Sequence, residues 1–445
     1  MNSSITAGSS RTLSGSASSA NLFLITSATN EGGTGIHNEG DNVFIVNCPT
    51  IRGGSSGNIT TTSSGSGTNH QIAVSYAVTI FSGGPGIYNS GDDLLISGCT
   101  IQAGSSGGLT ASNAGDQGVY IGAGGNVLIQ TGGNGIVNSG TNMHTSSCSI
   151  IAGSGGSISA STSSYGPANI GNPFDGTSLV PTGTGGTGIS NTGAHITLEN
   201  CTIQAGNGGT ITANNAQPIY IAYGSGNRAT ASAGGIGIVN AGDVAQIIEN
   251  TITAGSGGGI TTSSGNLPVF IGNNFGIVSL GSGGNGILNS GSNSFITNTI
   301  TAAQGGSVSV TVAGANKNGS ANGGLGGFGI ICDSSASNVC ITGTKINATG
   351  NGDTGYRSGT PGSAAGKGGD AGNGIQIDSS CSNIQLRDVR VNALGIGGTS
   401  VTGGGTGANG RLMNTPTNYR SLIFSAVNLP TLTAPRTINY FKNVS

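Results

Sequence analysis

The stretch Gly35–Ile51, GIHNEGDNVFIVNCPTI, returns almost whole at Gly188–Ile203 as GISNTGAHITLENCTI. Read outward from these two copies, the opening motif recurs as GGTGIHNEG, GGPGIYNSG, GGNGIVNSG, GGTGISNTG, GGIGIVNAG and GGNGILNSG. Its isoleucines are Ile36, Ile87, Ile136, Ile189, Ile238 and Ile287, with weaker members at Ile330 and Ile375. The successive intervals are 51, 49, 53, 49, 49, 43 and 45 residues. A second strand end follows each, in NCPTI, GCTI, SCSI, NCTI, ENTI and TNTI, closing on Ile51, Ile101, Ile150, Ile203, Ile252 and Ile300 and continued at Ile346 and Val391. A third signature, as in AGSSGGLTAS and AGNGGTITAN, and a late apolar stretch such as Gly118–Ile121 or Pro268–Ile271 complete the unit. Self-similarity at a fixed period marks a repeat architecture.

Each piece is three to five apolar or alternating residues bounded by Gly, Asn or Ser, which predicts short strands between tight turns. No stretch keeps a 3.6-residue apolar period, so helix is not expected. The shape GIxNxGxNVxIxNCTI resembles the right-handed parallel β-helix family typified by pectate lyases and many surface adhesins. The resemblance implies an all-β solenoid of about eight repeats, each near 49 residues. It implies architecture and no particular chemistry. Equivalent positions of adjacent coils stack about 4.8 Å apart in such a fold. Asn38, Asn89, Asn138, Asn191, Asn240 and Asn289 are then expected to form a side-chain amide ladder. Gly40, Gly91, Gly140, Gly193, Gly242 and Gly291 are expected to take the positive φ that turns the chain. Cys48, Cys99, Cys148 and Cys201 are expected to stack as small buried hydrophobes, replaced later by Asn250 and Asn298. Without similarity at half the period, one wide coil per repeat is favoured over two narrow ones.

Composition agrees with a solenoid: Gly supplies 88 of 445 residues, Trp is absent and charged residues are 6%, against roughly 25% in an average soluble domain. Gly without a strict three-residue period and only 11 Pro exclude collagen. A net charge of −2 gives no reason to expect nucleic acid or an anionic membrane as partner. The opening residues carry no apolar stretch of signal-peptide or transmembrane character, so membrane insertion is not expected and an export route is not visible. The seven cysteines include no CxxC, and His37, His70, His144 and His195 fall at unrelated repeat phases without HxH or HExxH spacing. No metal or cofactor is therefore expected. Carboxylates that could serve a polysaccharide lyase or hydrolase are Asp92 with Asp93, or Asp333 with Asp378 near Arg387, Asp388 and Arg390. Turn capping explains the same residues.

Three regions are expected: a Ser-rich segment at 1–31 with one strand at Leu22–Ile25, solenoid repeats at 32–410, and a strand module at 411–445 where Gly disappears. Residues 350–374 read as an exposed glycine-rich loop. Neither end offers a helical cap, although an open coil presents unpaired strand edges. Leu22, Phe23, Leu422, Ile423, Phe424, Ile438, Tyr440 and Phe441 are candidates for pairing with another copy. These features predict a structural, self-assembling fibre subunit at an extracellular, cell or virion surface, its partner being copies of itself. Three alternatives remain. One is an adhesin that recognises glycans or a host surface through segments 158–185, 313–327 and 350–374. Another is the carbohydrate-active enzyme. The third is an ice-binding protein built on threonine-rich strands such as Thr60–Thr62 and Thr261–Thr262, an array that Ser159, Thr212 and Ser309 are expected to interrupt.

Overall fold

The computed structural model describes residues 4–425 except 18–21, 26–28, 64–70, 75–77, 115–117, 123–124, 163–165, 172–177, 216, 266, 273–275, 313–316, 334, 354–355, 359–366, 400–404, 412 and 415–421. Every regular element among the described residues is a β-strand. Equivalent strands of neighbouring repeats pair in parallel and in register: Ile36 lies opposite Ile87, Ile87 opposite Ile136, and Ile136 opposite Ile189. Pairing always advances by one repeat, so each repeat closes one coil. Among the described residues a single antiparallel pair, Lys317–Ala321 with Tyr356–Ser358, departs from this rule.

Each coil has two lobes. In the first lobe one wall runs through nine strands, from Ile36–Asn38 to Met413–Asn414. A second wall contributes two short strands per coil, such as Leu95–Ser97 and Thr100–Gln102, which fuse into the single strand Ala245–Thr253 further along. The second lobe has three walls, represented in one coil by Leu109–Asn113, Val119–Ile121 and Val127–Ile129. Strand alternation points one side chain of each pair inward. The lobes accordingly hold separate cores: Ile87, Ile101, Ile136 and Ile150 belong to one, Leu109, Val119, Ile121 and Val127 to the other.

Between the lobes lies a layer of glycine backbone. The Gly84 N–H donates to Gly54 O, Gly104 to Gly84, Gly133 to Gly104 and Gly153 to Gly133, each at 2.8 Å. A parallel line of bonds sits three residues away, where Gly183 donates to Gly156 at 2.9 Å and Gly209 to Gly183 at 2.8 Å. A Cβ at Gly104 would lie 1.9 Å from the Gly54 carbonyl oxygen, and one at Gly153 the same distance from that of Gly104. Only glycine allows this approach, as at the axis of collagen. The glycine-rich signatures are thus the waist of the coil and not its turns. Gly350–Asp353 and 367–374 belong to this layer too, with Gly350, Gly369 and Gly372 buried, so the reading of 350–374 as one exposed loop is corrected.

The turns use other residues. Gly40, Gly91, Gly140, Gly193, Gly242 and Gly291 do not take positive φ, contrary to expectation. A Cβ at Gly140 would stand 1.9 Å from the Gly91 carbonyl oxygen, so from Gly91 onward this column is glycine because coils approach closely there. The left-handed turn falls two residues later, at Asn42, Asp93, Asn142, His195, Val244, Asn293, Asn338 and Asn383, with φ between 53° and 59°. Short Asn and Asp side chains tolerate this conformation because they can hydrogen-bond locally. A second left-handed column follows at Asn47, Gly98, Ser147, Asn200, Glu249, Gly343 and Asp388.

Candidate binding faces

The asparagine column is buried and continuous. Asn89 Nδ2 donates to Asn138 Oδ1 at 2.7 Å, Asn138 to Asn191 at 2.7 Å, and Asn191 to Asn240 and Asn240 to Asn289 at 2.8 Å. The second amide proton of each closes its own turn, as from Asn191 to Gly193 O at 2.7 Å. The cysteine column does more than fill space. Cys48 N donates to Cys99 Sγ, Cys99 N to Cys148 Sγ and Cys148 N to Cys201 Sγ at 3.3 to 3.5 Å. Asn250 and Asn298 then take over as acceptors at 2.9 Å, and Thr344 at 3.3 Å. What the column preserves is an acceptor for the backbone N–H of the preceding coil. Burial pushes the Cys99 and Cys381 thiols up and Cys332 to about 12, which keeps them neutral.

The candidate acids lie in turns, and Asp333 and Asp378, which follow the paired residues Cys332 and Ile377, occupy equivalent positions of adjacent coils. Asp92 accepts from the Thr141 N–H at 2.7 Å, the main cause holding its carboxyl below the usual range, while Asp93 accepts from Asn142 Nδ2 at 2.9 Å. Asp378 accepts from Ser380 N at 3.0 Å and Ser380 Oγ at 2.7 Å, and the Ser380 N–H leads the depression of its pKa. Asp388 pairs with Arg390 at 3.5 Å, and Arg387 turns to Gln385. All are exposed turn or wall contacts of the kind Asx capping provides. His37 lies 3.3 Å from Glu39 on one wall and His144 lies 3.2 Å from Glu199 on another. Among the described residues no three His, Cys, Asp or Glu side chains gather as a metal site.

Two uncharged faces stand out instead. One is the outer surface of the wall that contains Leu109–Asn113. Its register aligns Ser14, Thr60, Thr110, Ser159, Thr212, Thr261 and Ser309 in one column and Ser16, Thr62, Ser112, Ser161, Asn214, Ser263 and Thr311 in the next. Ser159, Thr212 and Ser309 are in phase, so the expected interruption is absent; hydroxyls fill every position except Asn214. The other face is a groove at the waist, with a volume of about 300 Å³, lined by Thr253, Ala254, Ser256, Thr301, Ala302, Ala303, Gln304, Thr349, Gly350 and Asn351. The sequence reading missed it. Its signal was available in TITAGS and TITAAQ, where a polar residue flanks each side of small apolar ones at the same phase.

Strands run through the segments expected to be recognition loops. Residues 158–185 include the strands Ile158–Thr162, Ala168–Ile170 and Leu179–Pro181, and 313–327 include Lys317–Ala321. Of the assembly candidates, Leu22 and Phe23 lie in Leu22–Ile25, which pairs with Gln71–Val74 of the same chain. Leu422, Ile423 and Phe424 lie in Leu422–Ser425, paired with Ser382–Arg387. Ile438, Tyr440 and Phe441 lie outside the described residues.

No family model and no curated protein matches this chain. Among solved structures it is similar to the Dettilon tailspike protein (gp208), with a TM-score of 0.17 and 13% identity, over 84% of this chain and 60% of that one. It is also similar to the Siphovirus 9NA tailspike receptor binding domain, with a TM-score of 0.11 and 9% identity, over 95% of this chain and 75% of that one.

Proposed function

We propose that this chain is the rod of an extracellular or virion-surface fibre whose coils stack end to end on those of another copy. The observation that supports the reading is the geometry of the first coil. Ile36–Asn38 and Phe44–Val46 each pair on one side only among the described residues, and the coil's other walls end in Ile5–Thr6, Leu13–Ala17 and Leu22–Ile25, three strands where segment 1–31 was expected to hold one. Such an edge is a template for another strand. A head-to-tail contact of this kind does not close and generates a filament. Negative-stain microscopy of purified protein at rising concentration tests it, with end-to-end filaments expected. Monodisperse short rods at high concentration, unchanged by deleting 411–445, would sink the reading.

A second reading, ice binding, is favoured by the in-phase hydroxyl columns. They repeat about every 4.8 Å along the rod and about every 6.7 Å along each strand, and no charge interrupts them. Inhibition of ice recrystallisation by the protein, lost on placing Tyr at Ser161 and Thr212, is the expected result. Equal inhibition by that variant rules the face out.

A further inference from the structure

We propose that the waist groove binds an extended neutral polysaccharide. The groove spans three coils, with Thr253 and Thr301 on one rim and Ser256, Gln304 and Asn351 on the other. Thr253, Gln304 and Asn351 are exposed, whereas the floor residue Ala302 is 6% exposed. No charged side chain lines it, which removes the means of holding an anionic polymer or a charged peptide. The rims combine hydroxyls and carboxamides, groups that both donate and accept, as the vicinal hydroxyls of a sugar also do. The methyl groups of Ala254 and Ala302 form a shallow apolar floor suited to the C–H face of a pyranose ring. Concave sites with an apolar base and a few oriented polar groups are the usual form of ligand pockets.

The backbone argues against a peptide strand as occupant. The amides of the groove are already committed coil to coil: Ala254 N donates to Thr301 O at 3.0 Å and Ser256 N to Asn207 Oδ1 at 2.9 Å. No strand edge is left there for β-augmentation. The rims, by contrast, retain capacity. Asn351 is exposed, and its Oδ1 accepts from Ile396 N at 2.9 Å. The columns extend beyond the groove, through Gln204, Ile151 and Gln102 on one rim, where Ile151 breaks the run of polar groups, and through Asn207 and Ser154 on the other. Within the groove, a ligand that repeats along its own axis at about the 4.8 Å coil spacing meets Ser256, Gln304 and Asn351 in three successive coils. A linear polysaccharide has that property.

Affinity electrophoresis of the full chain through gels containing a mixed-linkage β-glucan, a galactomannan or a dextran, with polygalacturonate as the anionic control, tests the assignment. At least one neutral polymer should retard the protein. Thr253→Val and Gln304→Ala, both at exposed positions, should each weaken that retardation about fivefold to tenfold, the scale of one lost hydrogen bond. Thr110→Val on the hydroxyl wall should leave it unchanged, and circular dichroism should show all three variants folded. Failure of every neutral polymer to retard the chain overturns the proposal. So does retardation by polygalacturonate alone, equal retardation of the groove variants, or loss confined to Thr110→Val. These outcomes do not depend on whether the rods stack at their ends.

Discussion

At the residue scale, the chain separates two demands that glycine is usually asked to meet together, namely left-handed backbone and close approach. The left-handed turn column is filled by Asn at five of its eight positions, with Asp93, His195 and Val244 as the others. Val244 is the misfit, because a β-branched side chain at φ 59° is a steric outlier. Its side chain is 36% exposed and its N–H donates to Ser292 O at 2.9 Å, so the neighbouring coil holds it there. Replacing it with Asn restores the side chain that this turn accepts. Val244→Asn should stabilise the protein by about 1 kcal/mol, read as a rise in the midpoint of urea unfolding. A fall in midpoint would show that Val244 makes a contact worth more than the strain. The glycine column two residues earlier, whose sequence pattern suggested turning, is set by coil-to-coil distance. GxN and NxG motifs do not distinguish these causes, since both place Gly beside Asn.

At the scale of elements, the strands were legible and the waist was not. Inward isoleucines recur with an unbroken phase, so Ile36, Ile87 and Ile136 announce their own pairing, and the Asn and Cys columns travel with them. The segments from Ala103 to Gly108 and their equivalents carry almost no side chain to give a period, and they read as turns. Their order comes from backbone bonds to two neighbours at once, a relation that exists only after the coil has closed. The groove was hidden for the same reason: its floor belongs to that layer and its rims come from separate parts of the repeat. The layer makes a testable contrast with the turns. Gly153→Ala would set a methyl carbon 1.9 Å from the Gly104 carbonyl oxygen, and backbone on both sides leaves it nowhere to move. Gly98→Asn, at φ 63°, matches Asn47 and Asn200 in the same column, and its nearest obstacle is the Asn47 side-chain oxygen. Gly153→Ala should lower stability by more than about 3 kcal/mol, the scale of forced overpacking, while Gly98→Asn stays within about 1 kcal/mol. Comparable denaturation midpoints for the two variants would contradict the rigidity assigned to the layer.

At the scale of the whole molecule, coils follow one another in sequence order, so a gradient along the chain becomes a gradient along the rod. Residues 1–300 hold 3 basic and 10 acidic side chains, and 301–445 hold 10 and 5. The sequence is therefore acidic over 1–300 and basic over 301–445, with Arg420, Arg436 and Lys442 lying outside the described residues, on a molecule whose net charge is only −2. Side-by-side antiparallel pairing and head-to-tail stacking both bring opposite signs together, but they differ in what else they join. Stacking also unites strand edges, whose hydrogen bonds are insensitive to ionic strength, whereas lateral pairing of walls rich in Ser and Thr has no such anchor. Surface charges further apart than about 10 Å are screened at 0.1 M salt. Head-to-tail growth should consequently begin more slowly as salt rises, because attraction steers the encounter, yet filaments already formed should persist. Light scattering after dilution into 0.02 M and 0.5 M salt, followed by microscopy of the same samples, separates the cases. Slower growth with intact preformed filaments supports edge pairing guided by charge. Rapid dissolution of preformed filaments at 0.5 M salt would mean that charge alone holds the rods together, and the strand edges would lose the role assigned to them.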